Sequence, residues 1–211
     1  MKIYDSSQNI DKILVKTINI MKNDGVIVYP TDTVYGFGAS VFSKEAITKI
    51  KKIKNRKSKT PFSICVPSKE YLFEKVILSD TIKKIVNNFL PGAITLILPT
   101  KKDVLPKCLY SENIYIGYRI PDHAFCMKLM KEYDKPIIST SINLSGDAPI
   151  TNIFKIVKIF SKKVDIYIKD DELEQKKAPN TSTIVKVTEN NKLSLIRKGE
   201  IPFSDILQSI D

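Results

Sequence analysis

Apolar residues recur at helical spacing over residues 9–22, where Ile10, Ile13, Leu14, Thr17 and Met21 share one face, and this predicts an amphipathic helix. Asp24-Gly25 closes it, and the continuous run Val26-Ile27-Val28-Tyr29 predicts a buried strand that Pro30 stops. The stretch from Thr31 to Gly38 reads as a turn rich in hydroxyls and glycine. Ser43 predicts the cap of a second helix, with Ala46, Ile47, Ile50 and Ile53 on its inner face. Phe62 to Val66 alternates as a strand does, and Ser79 caps a helix that turns Ile82, Ile85, Val86 and Phe89 inward. That helix ends at Pro91-Gly92, and Ile94 to Leu98 forms the next strand. Further strands are expected over 114–118, 136–139, 164–168, 182–187 and 192–197, with helices near 122–132, 152–161 and 203–209. Strands and helices mingle without strict βαβ alternation. The expected fold is therefore α/β: a single domain over residues 1–211, with a twisted, mixed parallel and antiparallel sheet and helices packed on it.

Composition narrows the class. A chain of 211 residues with 43% hydrophobic content can bury one continuous core. No apolar run reaches the roughly 18 residues of a membrane span, and the N-terminus, MKIYDSSQNIDK, turns polar at once, so a cytoplasmic protein with no membrane partner is expected. Cys65, Cys108 and Cys126 are too dispersed for a disulfide framework or a metal knuckle and are read as small, buried, reduced side chains. His123 is the only histidine, which excludes a histidine metal cage or a pair of catalytic histidines; it is read as a residue at a helix N-terminus. The net charge is +11. Residues 49–59 concentrate Lys49, Lys51, Lys52, Lys54, Arg56, Lys57 and Lys59 with no acid among them, which fits either a solvated surface or a site for polyphosphate.

Standard nucleotide signatures are missing: there is no GxxxxGK[ST], and Gly36-Phe37-Gly38 lacks the third glycine of a dinucleotide fingerprint. Neither GxSxG nor HExxH occurs. Four segments place polar residues where strands should end. In Pro30 to Gly38, hydroxyls suit a small polar ligand, or an ordinary Thr and Asx turn. In Lys54 to Pro61, an arginine fork and mobile lysines suit phosphate, or simply a solvated helix end. Ile137 to Gly146 offers alternating hydroxyl and amide groups, or a capped helix start. Ser182 to Val185 with Leu195 to Glu200 reads on its own as a polar-headed hairpin.

Taken together, PTDTVYGFG, the following K-x-R, LPGAITLIL, Arg119-Ile120-Pro121-Asp122-His123, SINLSG, STIV and IRKGEI closely resemble the YrdC-like threonylcarbamoyl-AMP synthases and their YciO relatives, over about residues 20–201. The resemblance implies one open α/β domain around a large basic cavity. It implies an activity that joins L-threonine, bicarbonate and ATP into threonylcarbamoyl-adenylate and pyrophosphate for a tRNA modification. It assigns Lys54, Arg56, Ser141 and Asn143 to catalysis, Arg56, Thr60, Ser141 and Arg197 to ATP, and Thr33, Arg119, Ser139 and Ser182 to threonine. Magnesium is implied on the triphosphate, with no metal held by the protein itself. Weak tRNA or double-stranded RNA contact and a downstream threonylcarbamoyl transferase complex are implied as partners. Lys57, Cys65, Tyr115 and Ser139-Thr140 depart from the commoner family residues. Two other readings compete: an RNA-binding protein without turnover, and a carbamoyl-adenylate enzyme of the same fold.

Overall fold

The computed structural model describes residues 2–55, 61–109, 115–143, 147–176 and 180–210. The strands are β1 (Ile3–Asp5), β2 (Ile27–Tyr29), β3 (Gly36–Ser40), β4 (Ser63–Cys65), β5 (Ile94–Pro99), β6 (Tyr115–Arg119), β7 (Ile137–Ser141), β8 (Ile166–Lys169), β9 (Thr183–Val187) and β10 (Leu193–Arg197). The helices are α1 (Ile10–Lys22), α2 (Lys44–Ile53), α3 (Lys69–Lys75), α4 (Asp80–Phe89), α5 (Ala124–Tyr133), α6 (Ile153–Phe160), α7 (Asp171–Gln175) and α8 (Phe203–Gln208). All the strands join one 10-stranded sheet in the order β1-β8-β2-β3-β7-β4-β6-β5-β9-β10. The pairing is mixed as expected: β1–β8, β2–β8, β4–β6 and β5–β9 are parallel and the other neighbours antiparallel.

Strand alternation divides the core. Ile94, Leu96 and Leu98 of β5, Ile116 and Tyr118 of β6, and Val185 and Val187 of β9 point to one face, against α2, α4 and α6. On the other face, Ile13, Leu14 and Met21 of α1 and Phe125, Leu129 and Met130 of α5 cover Ile27, Tyr29, Cys65, Ile137 and Ile166. Beyond Cys65 that second face carries Ser63, Thr95, Ile97, Tyr115, Gly117 and Ile184 instead, and these line a cavity. Side chains of a strand alternate between faces, so one periodic pattern builds the core and the cavity floor together.

The helix caps follow local chemistry. The hydroxyls of Ser43, Ser68 and Ser79 accept from the backbone N–H three residues on, at 2.9, 3.2 and 3.3 Å. Among the described residues no helix is long and apolar enough to cross a membrane.

Gly36 to Ser40 corrects the expected turn, because it is a fully buried strand. Its glycines serve packing. In the β2–β3 register Tyr29 stands opposite Gly36 and Ile27 opposite Gly38. A Cβ at Gly38 would lie 2.8 Å from Ile27 Cγ1 and 2.9 Å from Tyr29 Cε1. A Cβ at Gly36 would meet Tyr29 Cε1 at 3.4 Å, an ordinary contact. We expect Gly38→Ala to cost about 1–3 kcal/mol through overpacking and Gly36→Ala clearly less, read as the difference between their urea midpoints at equal m-values.

Candidate active site

The cavity, about 510 Å³, is bounded by β3, the floor strands β7, β4, β6, β5 and β9, the Thr31–Tyr35 turn and the β10 end. It brings together Lys54, Thr33, Arg119, Ser139, Ser141, Asn143, Ser182 and Arg197. Arg56 and Thr60 lie outside the described residues. Several of the polar groups sit at strand ends as expected, with Arg119 last in β6, Ser141 last in β7 and Arg197 last in β10, while Ser139 and Thr140 lie within β7. Much of the site is therefore a sheet face. Gly117 keeps that face open, since a Cβ there would meet Ser63 Oγ at 2.7 Å.

Arg119 is 7% exposed. Its guanidinium donates to the Asp32 carboxylate and, at 2.9 Å, to Thr33 Oγ1. The turn presenting those partners is self-bonded: Thr31 Oγ1 accepts from the N–H groups of Thr33 and Val34, both at 3.2 Å, and donates to Val34 O at 2.6 Å. Lys176 Nζ donates to Asp32 O at 2.6 Å and so ties the turn to the end of α7. Arg119 Nε and Asp32 Oδ2 are buried with no hydrogen-bond partner among the described residues, so the pair is not saturated.

Arg197 is held by its own neighbour strand. Its Nε and one terminal nitrogen donate to Ser182 O at 3.2 and 2.8 Å, and that terminal nitrogen also reaches Ser182 Oγ at 3.1 Å. Thr95 Oγ1 shares a 2.8 Å bond with Ser182 Oγ. Burial and then the charge of Arg119 lower the pKa of Arg197. The two guanidinium ions feel each other across the cavity, and an anion between them relieves both.

Lys54 lies 4% exposed at the end of α2. Its ammonium donates to Ser141 O and Asn143 Oδ1, both at 2.5 Å. Ser141 Oγ donates to the same Asn143 oxygen at 3.0 Å, while Asn143 Nδ2 donates to Asp147 O at 2.7 Å. Lysine, serine and asparagine thus form one network, with the amide orientation set by its bonds.

Sequence reasoning assigned no role to Asp32, Ser63 or Thr95. Ser63 and Thr95 are legible as polar residues in phase with the non-core face of apolar strands. Asp32 carries no such signal, since its partner is 87 residues away. His123 is the N-cap of α5, accepting from Phe125 N at 3.2 Å, and its Nε2 lies 3.3 Å from Asp170 Oδ2. All three cysteines are free, but Cys108 is only half-buried, against the expectation of three buried thiols. No cluster of histidine, cysteine and carboxylate able to hold a metal occurs among the described residues.

Comparison with known proteins agrees with this fold. The family model described as Sua5_yciO_yrdC, Telomere recombination, matches residues 19–199. A Methanocaldococcus jannaschii protein provisionally named a threonylcarbamoyl-AMP synthase is 34% identical over 210 residues, covering 98% of this chain and 95% of its own. The threonylcarbamoyl-AMP synthase of Pyrococcus abyssi is 30% identical over 183 residues, which are 86% of this chain but only 52% of that protein. The crystal structure of P. abyssi Sua5 complexed with L-threonine superposes with a TM-score of 0.88 at 24% identity, covering 100% of this chain and 61% of that one.

Two stability effects follow from the charged groups. Asp32→Ala leaves Arg119 without its counter-charge and should cost about 3–5 kcal/mol, part of which returns in the Asp32→Ala/Arg119→Met double variant. Burial lowers the His123 pKa against the raising pull of Asp170, so the unfolded chain takes up this proton at higher pH than the folded one. Stability is then full above the ordinary histidine range and falls as pH drops through it. Asp170 is held low despite burial, by bonds from Ser6 and Leu173 N–H and by His123, and its contribution is lost at still lower pH, as its folded value is passed. His123→Asn keeps a capping acceptor, so urea midpoints measured from pH 7.5 to 5.5 should fall less steeply than in the parent, with the lower-pH loss retained.

Proposed function

Since the chain belongs to the Sua5/YciO/YrdC family, we propose that it is a threonylcarbamoyl-AMP synthase, forming L-threonylcarbamoyl-adenylate and pyrophosphate from L-threonine, bicarbonate and ATP. The observation that carries this reading is the pair of anchored guanidinium groups, Arg119 and Arg197, on one cavity between hydroxyls. Two anionic substrates need two such cations, and a forked donor suits a carboxylate or a phosphate. The relatives' names and the threonine in the P. abyssi structure point to the same chemistry.

In this reading the amino-acid carboxylate meets Arg119, while Thr33, Ser139 and Ser182 hold its hydroxyl and amine. ATP lies toward Arg197, Ser141 and Lys54, joined by Arg56 and Thr60. The Ile97, Tyr115, Ile184 and Ile196 side chains give that end of the cavity an apolar lining. The threonine amine adds to bicarbonate and loses water to give a carbamate. A carbamate oxygen then attacks the α-phosphorus, and the bond to the β-phosphate bridging oxygen breaks to release pyrophosphate. No protein acid or base needs to change state. The work of the site is to align two anions and to neutralise charge developing on the phosphate. Lys54 is bonded to Asn143 and Ser141, so the network moves as a unit when a phosphate oxygen accepts a hydrogen bond from its ammonium. Magnesium comes with the triphosphate as part of the substrate, held by phosphate oxygens and water. The product is a mixed anhydride that a downstream threonylcarbamoyl transferase consumes on tRNA. Direct RNA contact is weak and phosphate-driven, through exposed lysines such as Lys51 and Lys52, and it fades as salt rises.

Pyrophosphate release, measured with each substrate omitted in turn, tests the reading. It should require threonine, bicarbonate and ATP together. Serine lacks one methyl and should be used about 10- to 200-fold less well, whereas valine, which leaves a polar partner unpaired, should be rejected more strongly. Arg56→Ala should abolish turnover while shifting stability by no more than about 0.5 kcal/mol. Equal release with threonine, with valine and with no amino acid overturns the assignment.

A further inference from the structure

The Tyr29 side chain does not end on its own strand. Tyr29 lies on β2, Gly36 and Gly38 on β3, and Ser139 on β7, in consecutive positions of the sheet. Gly36 stands opposite Tyr29, and Gly38 stands opposite Ser139. The missing side chains of both glycines leave a path, and the Tyr29 ring crosses β3 along it. Its hydroxyl donates to Ser139 Oγ at 2.8 Å, with Cys65 Sγ 3.5 Å from the same hydroxyl. Tyr29 itself is 1% exposed and does not line the cavity, whereas Ser139 does.

From this geometry we infer that Tyr29 is a positioning residue that acts through Ser139, fixing it as a hydrogen-bond donor toward the amino acid. A serine hydroxyl has one proton to give. Because Tyr29 supplies a proton to Ser139 Oγ, the proton on Ser139 is left for a ligand oxygen when the site is filled. Ser139 therefore offers its proton to an oxygen of the amino acid, hydroxyl or carboxylate. Burial pushes the Tyr29 phenol well above its ordinary range, so it remains a donor at every working pH. Burial likewise raises the Cys65 thiol and keeps it a neutral, poor competitor for the serine proton. The glycines of the GFG string thereby gain a role other than cradling phosphate: they let an aromatic ring reach across a strand.

This inference rests on the reading of Ser139 as an amino-acid contact, and the test separates the two. Threonine KM and kcat from pyrophosphate release, and threonine affinity by calorimetry, are measured for the parent, Tyr29→Phe, Ser139→Ala and the double variant. ATP affinity in the same samples reports an intact fold. We expect Tyr29→Phe to raise threonine KM about two- to tenfold with kcat and ATP affinity little changed. In the Ser139→Ala background the same change should add nothing. If Ser139→Ala weakens threonine but Tyr29→Phe does not, or if the two effects add, Tyr29 does not act through Ser139. If threonine and ATP affinities fall together in Tyr29→Phe, its role is only structural and the inference fails. If Ser139→Ala leaves threonine binding untouched, the contact reading falls and the inference with it.

Discussion

A guanidinium ion that is almost wholly withdrawn from water, as that of Arg119 is, must be compensated or its strand cannot form where it does. The compensation reaches through several elements. Asp32 supplies the opposite charge and Thr33 a hydroxyl acceptor. The Thr31 turn holds both in place, and Lys176, next to α7, grips the Asp32 carbonyl. β4 lies beside Arg119 on the strand side, with Cys65 opposite it in register. The buried Nε and Oδ2 atoms, without a partner among the described residues, show that the settlement is incomplete.

The second constraint is the unequal covering of the sheet. Where α1 and α5 lie on it, the residues beneath are Ile27, Ile137 and Ile166. Beyond them the same face turns to serine, threonine and glycine, and the cavity begins. A floor made of strands is stiff, which suits a reaction whose barrier is lowered by alignment more than by proton transfer.

These features explain what the sequence could and could not disclose. The helices α1, α2 and α4 were legible because apolar spacing is a local property, as are the serine caps of α2 and α4, and the structure retains them. The β3 strand was not, since glycine and hydroxyls signal a turn unless the Tyr29 ring across the sheet is known. Three-residue β1 depends on pairing with β8, more than 160 residues on, and carries no periodic signal of its own. In the site, Ser139, Ser141, Asn143 and Ser182 stood out as clustered polar groups beside apolar runs, and the cavity gathers them. The pairing of Asp32 with Arg119 stayed hidden because an aspartate between two threonines already has a sufficient local explanation as a turn former.

The placement of Arg197 has a dynamic consequence. Its strand, β10, is the last of the sheet, paired among the described residues with β9 alone and interrupted between Leu195 and Arg197 by a register shift. Its outer end is exposed. Edge hairpins of this kind open at far lower free energy than the strands they border. Fraying of β10 would carry the Arg197 guanidinium away from the cavity while β4, β5 and β6 kept their pairing, so the site can be dismantled without the protein unfolding. The backbone of Gly199, so close to Thr181 that a Cβ would approach its carbonyl to 2.3 Å, and the 3.0 Å bond from Glu200 N–H to Thr181 O are the latch against that opening. Amide exchange in the β9–β10 hairpin therefore reports on readiness for turnover, whereas exchange in the central strands reports on survival of the fold.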